Sequence, residues 1–247
     1  MQAVLYICHG SRVEKGRNQA VDFVEKCKSD IPFPIQETCF LELSEPTIRQ
    51  GIEACVRLGA TKISVIPVLL LAATHVKKDI PDQIKQAQKA FPDVAFQVGD
   101  PFGVHEKVIN VLSDRVQETN VTLQSDALAL LVGRGSSDPE IKQEMKRVAG
   151  MLNDRMPFKN VSVCFLAAAN PSFEEGLELA LSSGNSQVFV LPYLLFTGVL
   201  MGEMEQKISA LNVDEEVVLC DYLGYHPYLK EVLIERVAET VQIGSRQ

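Results

Sequence analysis

Short apolar runs rich in β-branched residues alternate along the chain with amphipathic stretches. The apolar runs fall at 3–8, 35–40, 62–68 and 93–98, and again near 127–132, 160–166, 187–192 and 216–220. They are apolar throughout instead of alternating, which is the pattern of strands covered on both faces. Helical periodicity fills the intervals at about 15–28, 46–58, 79–90 and 105–118, then near 139–152, 171–183, 200–210 and 227–241. Strands separated by helices of this length predict βαβ units and parallel pairing. The expected fold is α/β, with two doubly wound domains that each hold a four-stranded parallel sheet.

Punctuation along the chain supports these boundaries. Ser44-Glu45-Pro46 and Ala169-Asn170-Pro171 each put a capping residue next to a proline suited to a first helical turn. Asp79-Ile80-Pro81-Asp82 reads as another helix start, and Gly59 as a left-handed cap after the helix ending at Leu58. The polar stretch Thr119–Asp126 separates the two sets of elements. The expected domains are therefore 1–120 and 125–247.

The second set repeats the first. Tyr6-Ile7-Cys8-His9-Gly10-Ser11 aligns with Leu131-Val132-Gly133-Arg134-Gly135-Ser136, and Phe40-Leu41-Glu42 with Phe165-Leu166-Ala167. Val65-Ile66-Pro67 aligns with Val190-Leu191-Pro192 at the same offset of 125 positions, which carries His75 onto Leu200. The repeat is a control inside one molecule. What the fold needs appears twice; His9, Glu42 and His75 appear once. His105 and His226 are both kept, 121 positions apart, each just before a helical pattern. That favours a capping or packing role for them, with contact to a ligand left open.

Composition narrows the function classes. The net charge of −8 comes without a basic stripe, which argues against nucleic acid. No apolar stretch reaches membrane-spanning length, and the first residues read as a strand and not as a signal peptide, so a cytoplasmic protein with no membrane partner is expected. Six scattered cysteines form no C-x-x-C pair, and Cys39 and Cys164 occupy equivalent apolar runs as small core residues. Gly10-Ser11 lacks the G-x-G-x-x-G and P-loop lysine patterns, so no dinucleotide or nucleoside triphosphate is expected.

Ligands of open parallel sheets bind beyond the carboxyl ends of the strands. His9 follows the first strand, Glu42 the second, and His75 lies beyond the third. Two imidazoles and a carboxylate suit Fe(II), Co(II), Ni(II) or Zn(II) better than magnesium or calcium, and three protein donors leave coordination positions open.

The runs Ile7-Cys8-His9-Gly10-Ser11-Arg12, Phe40-Leu41-Glu42-Leu43-Ser44-Glu45-Pro46 and Pro67–Pro81, the last with His75, together resemble the class II tetrapyrrole chelatases over essentially the whole chain. Within that family they are most similar to the bacillus-type sirohydrochlorin ferrochelatases. The resemblance implies insertion of Fe(II) into sirohydrochlorin to give sirohaem, in a cleft between two such domains. It implies that His9 and His75 bind metal and act catalytically with Glu42. It needs no organic cofactor; the divalent metal is a substrate, and cobalt and nickel fit the same donors. The tetrapyrrole is a polycarboxylate, and Arg12, Lys77, Lys78 and Arg134 are the expected cations for it. Two domains in one chain already make a cleft, so a monomer is expected. Three alternatives remain: a cobaltochelatase, a non-catalytic tetrapyrrole or metal carrier, and the histidine phosphatases, whose arginine before the histidine is here Cys8.

Overall fold

The computed structural model describes residues 1–72 and 75–245; the side chains of His75 and of residues 243–245 are outside the description. Among the described residues, eight strands and eight α-helices alternate as the hydrophobic pattern predicts. The first set is β1 (Gln2–Cys8), α1 (Glu14–Lys28), β2 (Ile35–Phe40), α2 (Ile48–Arg57), β3 (Lys62–Val68), a π-turn (His75–Asp79), α3 (Ile80–Ala90), β4 (Ala95–Val98) and α4 (Glu106–Glu118). The second is β5 (Leu128–Gly133), α5 (Pro139–Arg155), β6 (Asn160–Phe165), α6 (Phe173–Leu181), β7 (Gln187–Tyr193), α7 (Val199–Ser209), β8 (Glu216–Leu219) and α8 (Pro227–Ser245). The strands form two parallel four-stranded sheets with orders β2-β1-β3-β4 and β6-β5-β7-β8.

The central strands are buried on both faces, as their unbroken apolar sequence requires. Ala3, Leu5 and Ile7 pack with Ile48, Ile52 and Cys55 of α2 and with Ile80 and Ile84 of α3. Val4, Tyr6 and Cys8 point the other way by the pleat. In the second sheet Leu128, Leu130 and Val132 meet Phe173, Leu177 and Ala180 of α6 and Met201 and Met204 of α7. Backbones come unusually close where α2 crosses β1 and β2. A Cβ on Gly51 would lie 2.8 Å from Leu5 Cδ1 and 2.9 Å from Cys39 Cβ, and its repeat partner Gly176 is 2.6 Å from Cys164 Cβ on the same test. All six cysteines are free and buried. No helix among the described residues is long and apolar enough to cross a membrane.

Two local expectations change. The prolines at 46 and 171 precede the caps instead of opening the helices. The N-caps are Thr47 and Ser172, each closing a reciprocal box with Gln50 or Glu175. The residue three positions after the cap settles this, because its side chain must reach back to the cap amide. At the third helix, Asp79 stands at the cap position but its side chain accepts no capping bond, and a π-turn leads in. Gly59 does cap α2 in the left-handed region, with φ +88°. His105 and His226 cap as expected. Their Nδ1 atoms accept from Lys107 N at 3.1 Å and from Tyr228 N at 3.3 Å.

The chain forms two compact units whose borders differ from those of the repeat. One holds Met1–Gly103 with Leu229–Gln247; the other holds Val104–Tyr228. Helix α4 therefore belongs with the second sheet and α8 with the first. Equivalent arginines secure each exchange. Arg236 of α8 donates from Nε to Pro101 O at 2.8 Å and from Nη2 to Phe102 O at 2.9 Å. Arg115 of α4 donates to Leu223 O at 2.7 Å. The stretch between α4 and β5 is pinned to the second unit, where Asp126 accepts from Ser186 N at 2.8 Å and from its hydroxyl at 2.7 Å.

These contacts set opposite signs for two similar substitutions. Gly51→Ala should lower the urea midpoint by about 1–3 kcal/mol equivalent, because the core beneath it must shift. Gly150→Ala, on α5 with nothing within 4 Å of its added Cβ, should raise stability by roughly 0.5–1 kcal/mol through helix propensity.

Candidate functional site

The site is built where β1 and β2 end. Their parallel pairing continues one step past the strands: Leu41 N donates to Cys8 O at 2.9 Å, and Glu42 N to His9 O at 3.2 Å. Gly10 makes that approach possible. Its φ is +95°, and a Cβ there would lie 1.8 Å from the carbonyl oxygen of Glu42. Beyond the turn, Ser44 Oγ accepts from Ser11 N at 3.2 Å and donates to Ser11 O at 3.3 Å, tying the two loops a second time. Leu43 between them takes a left-handed backbone, φ 60°.

This lacing puts His9 and Glu42 side by side. His9 Nε2 is 3.7 Å from Glu42 Oε1, and the two side chains are 26 % and 43 % exposed. The other ring nitrogen, Nδ1, lies 3.3 Å from Gly10 O. In the tautomer that donates from Nδ1 to this carbonyl, the Nε2 lone pair faces Glu42. Donors bound to one ion at about 2.1 Å each stand roughly 3–3.5 Å apart, so the observed gap is close to that of two ligands sharing an ion. Cys8, the neighbour on the strand, is different. Burial pushes its thiol up to about 12, so it offers no thiolate.

The other predicted residues fall as follows. His75 begins the π-turn after β3, at the same sheet edge, and its side chain lies outside the described residues. Among the described residues no group of three or more metal-binding side chains converges; His9 and Glu42 supply two donors. Arg12 is exposed in the loop between β1 and α1, and Lys77 and Lys78 are exposed on the π-turn. Arg134 is exposed in the second unit as the first residue after β5. Around it the scaffold of the first unit is reproduced: Ala167 N donates to Arg134 O at 2.9 Å, and a Cβ on Gly135 would meet Ala167 O at 1.7 Å. The lacing occurs twice, while the residues it joins differ: His9 and Glu42 in the first copy, Arg134 and Ala167 in the second.

Sequence reading missed two features. A hollow of about 290 Å³ beside Glu42 is lined by Leu41, Glu42, Asp79, Asp82 and Gln83. Its three carboxylates make a locally negative field that draws cations toward Glu42. The signal was available, since Asp79 and Asp82 follow the third strand at the same edge. Ser44 was the other omission, and the repeat comparison points to it, because its counterpart is Ala169.

The CbiX family model matches residues 3–119 and again 128–240, one match per repeat. The chain is 50 % identical over 238 residues to the sirohydrochlorin ferrochelatase of Priestia megaterium, covering 96 % of this chain and 90 % of the relative. It is also similar to the solved structure of SirB from Bacillus subtilis with Fe3+, with TM-score 0.89 and 42 % identity over 100 % of this chain and 98 % of that one. The structure of the sirohydrochlorin chelatase SirB from Bacillus subtilis subspecies spizizenii in complex with cobalt gives TM-score 0.86 and 40 % identity, over 100 % of this chain and 97 % of the other.

The twofold lacing separates architecture from chemistry. Gly10→Ala should destabilise the protein by roughly 2–3 kcal/mol in thermal unfolding, since both backbone angle and carbonyl contact are violated. Glu42→Ala, at a half-exposed side chain, should leave unfolding within about 0.5 kcal/mol of the parent.

Proposed function

The chain belongs to the CbiX family, and from that membership we propose that it inserts Fe(II) into sirohydrochlorin to give sirohaem. The observation that carries this reading is the pairing of His9 with Glu42, 3.7 Å apart at the strand ends of one repeat and absent from the other. Similarity to a sirohydrochlorin ferrochelatase over 96 % of the chain supports the same substrate.

The reaction places a 2+ ion among four pyrrole nitrogens and releases two protons. Metal bound at His9 and His75 is passed to the macrocycle as the pyrrole N–H protons leave. An imidazole accepts a proton near neutral pH. One lone pair cannot hold metal and proton together, so the two histidines divide delivery and deprotonation. Glu42 draws protons away from His9 and balances the charge of the incoming ion. The acidic hollow of Asp79 and Asp82 beside Glu42 supplies the approach for the cation and the exit for protons. Arg12, Lys77, Lys78 and Arg134 take the peripheral carboxylates. The reaction uses no organic cofactor, and one chain suffices for it. Cobalt insertion is a second reading: a similar structure holds cobalt, and nitrogen–oxygen donor sets generally bind Co(II) more tightly than Fe(II).

Sirohydrochlorin mixed with Fe(II) under anaerobic conditions should change to the metallated absorption spectrum over many turnovers at substoichiometric protein. Conversion that stops at one equivalent would make the chain a carrier, and faster conversion with Co(II) than with Fe(II) would favour the second reading. His9→Ala and Glu42→Gln should each slow insertion by about a hundredfold, the scale of a lost acid–base group, with unfolding unchanged. Parent-like rates in both variants would overturn the assignment.

A further inference from the structure

Beyond the end of β7 in the second unit, Phe196 meets Tyr225, which lies beyond the end of β8. Their ring centroids are 6.4 Å apart and the planes meet at 54°. Tyr225 is 37 % exposed, and Val199 beside this pair in the chain is 54 % exposed. The loops that carry the rings are held by backbone bonds. Leu223 N and Gly224 N donate to Leu194 O and Leu195 O, both at 2.9 Å. Arg115 donates to Leu223 O from one side. From the same helix, Asp114 Oδ2 lies 3.1 Å from His226 Nε2. The rings therefore sit on a fixed rim and not on loose tips.

The repeat supplies the control. The first copy has the same lacing, from Phe102 N to Leu69 O at 2.9 Å and from Gly103 N to Leu70 O at 2.7 Å. Its counterparts of Phe196 and Tyr225 are Leu71 and Val104. The loop conformation thus needs no aromatic side chain, and rings stand only in the copy where Arg134 has replaced His9. Arg134 is at the same edge: it follows Gly133, which pairs with Tyr193, the last residue of β7. An exposed guanidinium and an aromatic pair made of half-buried Phe196 and exposed Tyr225, on one sheet edge, match a conjugated ring rimmed by carboxylates.

We infer that Phe196 and Tyr225 form an aromatic platform for one face of the tetrapyrrole macrocycle, beside Arg134, which holds its carboxylates. This rests on the proposed function and adds the second copy's part in recognising the substrate. The pair grips the macrocycle without touching the metal or the protons.

The test is titration of the intact chain with metal-free sirohydrochlorin, followed by the ligand's own absorption. Phe196→Leu with Tyr225→Val, which restores the first copy's residues, should weaken binding roughly tenfold, as expected for lost aromatic contact, without changing thermal unfolding. Phe196→Tyr and Tyr225→Phe should bind like the parent. A double variant that binds as tightly as the parent overturns the platform and leaves the proposed function standing. Should the double variant unfold early, Phe196→Leu alone decides, and parent-like affinity there overturns the platform. A parent chain that fails to bind sirohydrochlorin overturns the proposed function and the platform together.

Discussion

One backbone approach sets the geometry on which the site depends: Gly10 seated against the carbonyl of Glu42. Parallel strands usually diverge into their loops at the end of the ladder. Here the ladder runs one residue further, and the two residues it joins are His9 and Glu42. Their side chains are neighbours because their backbones are bonded, so neither needs the other for its position. The same approach at Gly135 and Ala167 shows that the scaffold stands without the chemistry. A scaffold of that kind leaves its side chains free to diverge, and the two copies have diverged in kind. One edge offers nitrogen and oxygen donors beside an acidic hollow. The other offers a guanidinium beside aromatic rings.

That division answers a difficulty raised by the net charge. In the proposed reaction, a protein of charge −8 must attract both a divalent cation and an organic polyanion. Mean charge favours only the first. Local placement serves both: carboxylates at Glu42, Asp79 and Asp82 face one hollow, while Arg134 stands on a different unit. Electrostatics of this sort depends on position and not on composition.

Much of this was legible in the sequence because the relevant forces are local or periodic. Strand burial on both faces writes an unbroken apolar run, and the runs at 3–8 and 62–68 became β1 and β3 almost residue for residue. His9 and Glu42 were legible because the repeat removes the scaffold from view. Caps were read one step early at Pro46 and Pro171, since proline suits a first helical turn but the reciprocal bond of Thr47 with Gln50 decides where the turn begins. Phe196 and Tyr225 were not legible as a site, because an aromatic residue after a strand carries no charge or ligand signal to set it apart from the core. The exchange of α4 and α8 could not be read at all. Both helices carry apolar residues at matching positions, Val108, Val111, Leu112 and Val116 against Leu229, Val232, Leu233 and Val237, and which sheet each covers depends on contacts more than a hundred positions away, such as Arg236 with Pro101.

That exchange bears on how such a chain could have arisen. A single copy ending at its fourth helix would lack the cover for its own sheet and would carry a helix suited to another. Two separate copies would complete themselves only by trading those helices, which makes the pair, and not the half, the smallest folding unit. Its stability would then fall with dilution. Gene duplication with fusion removes that dependence. The partner is supplied at the effective concentration of a short tether, and each copy becomes free to lose what the other retains.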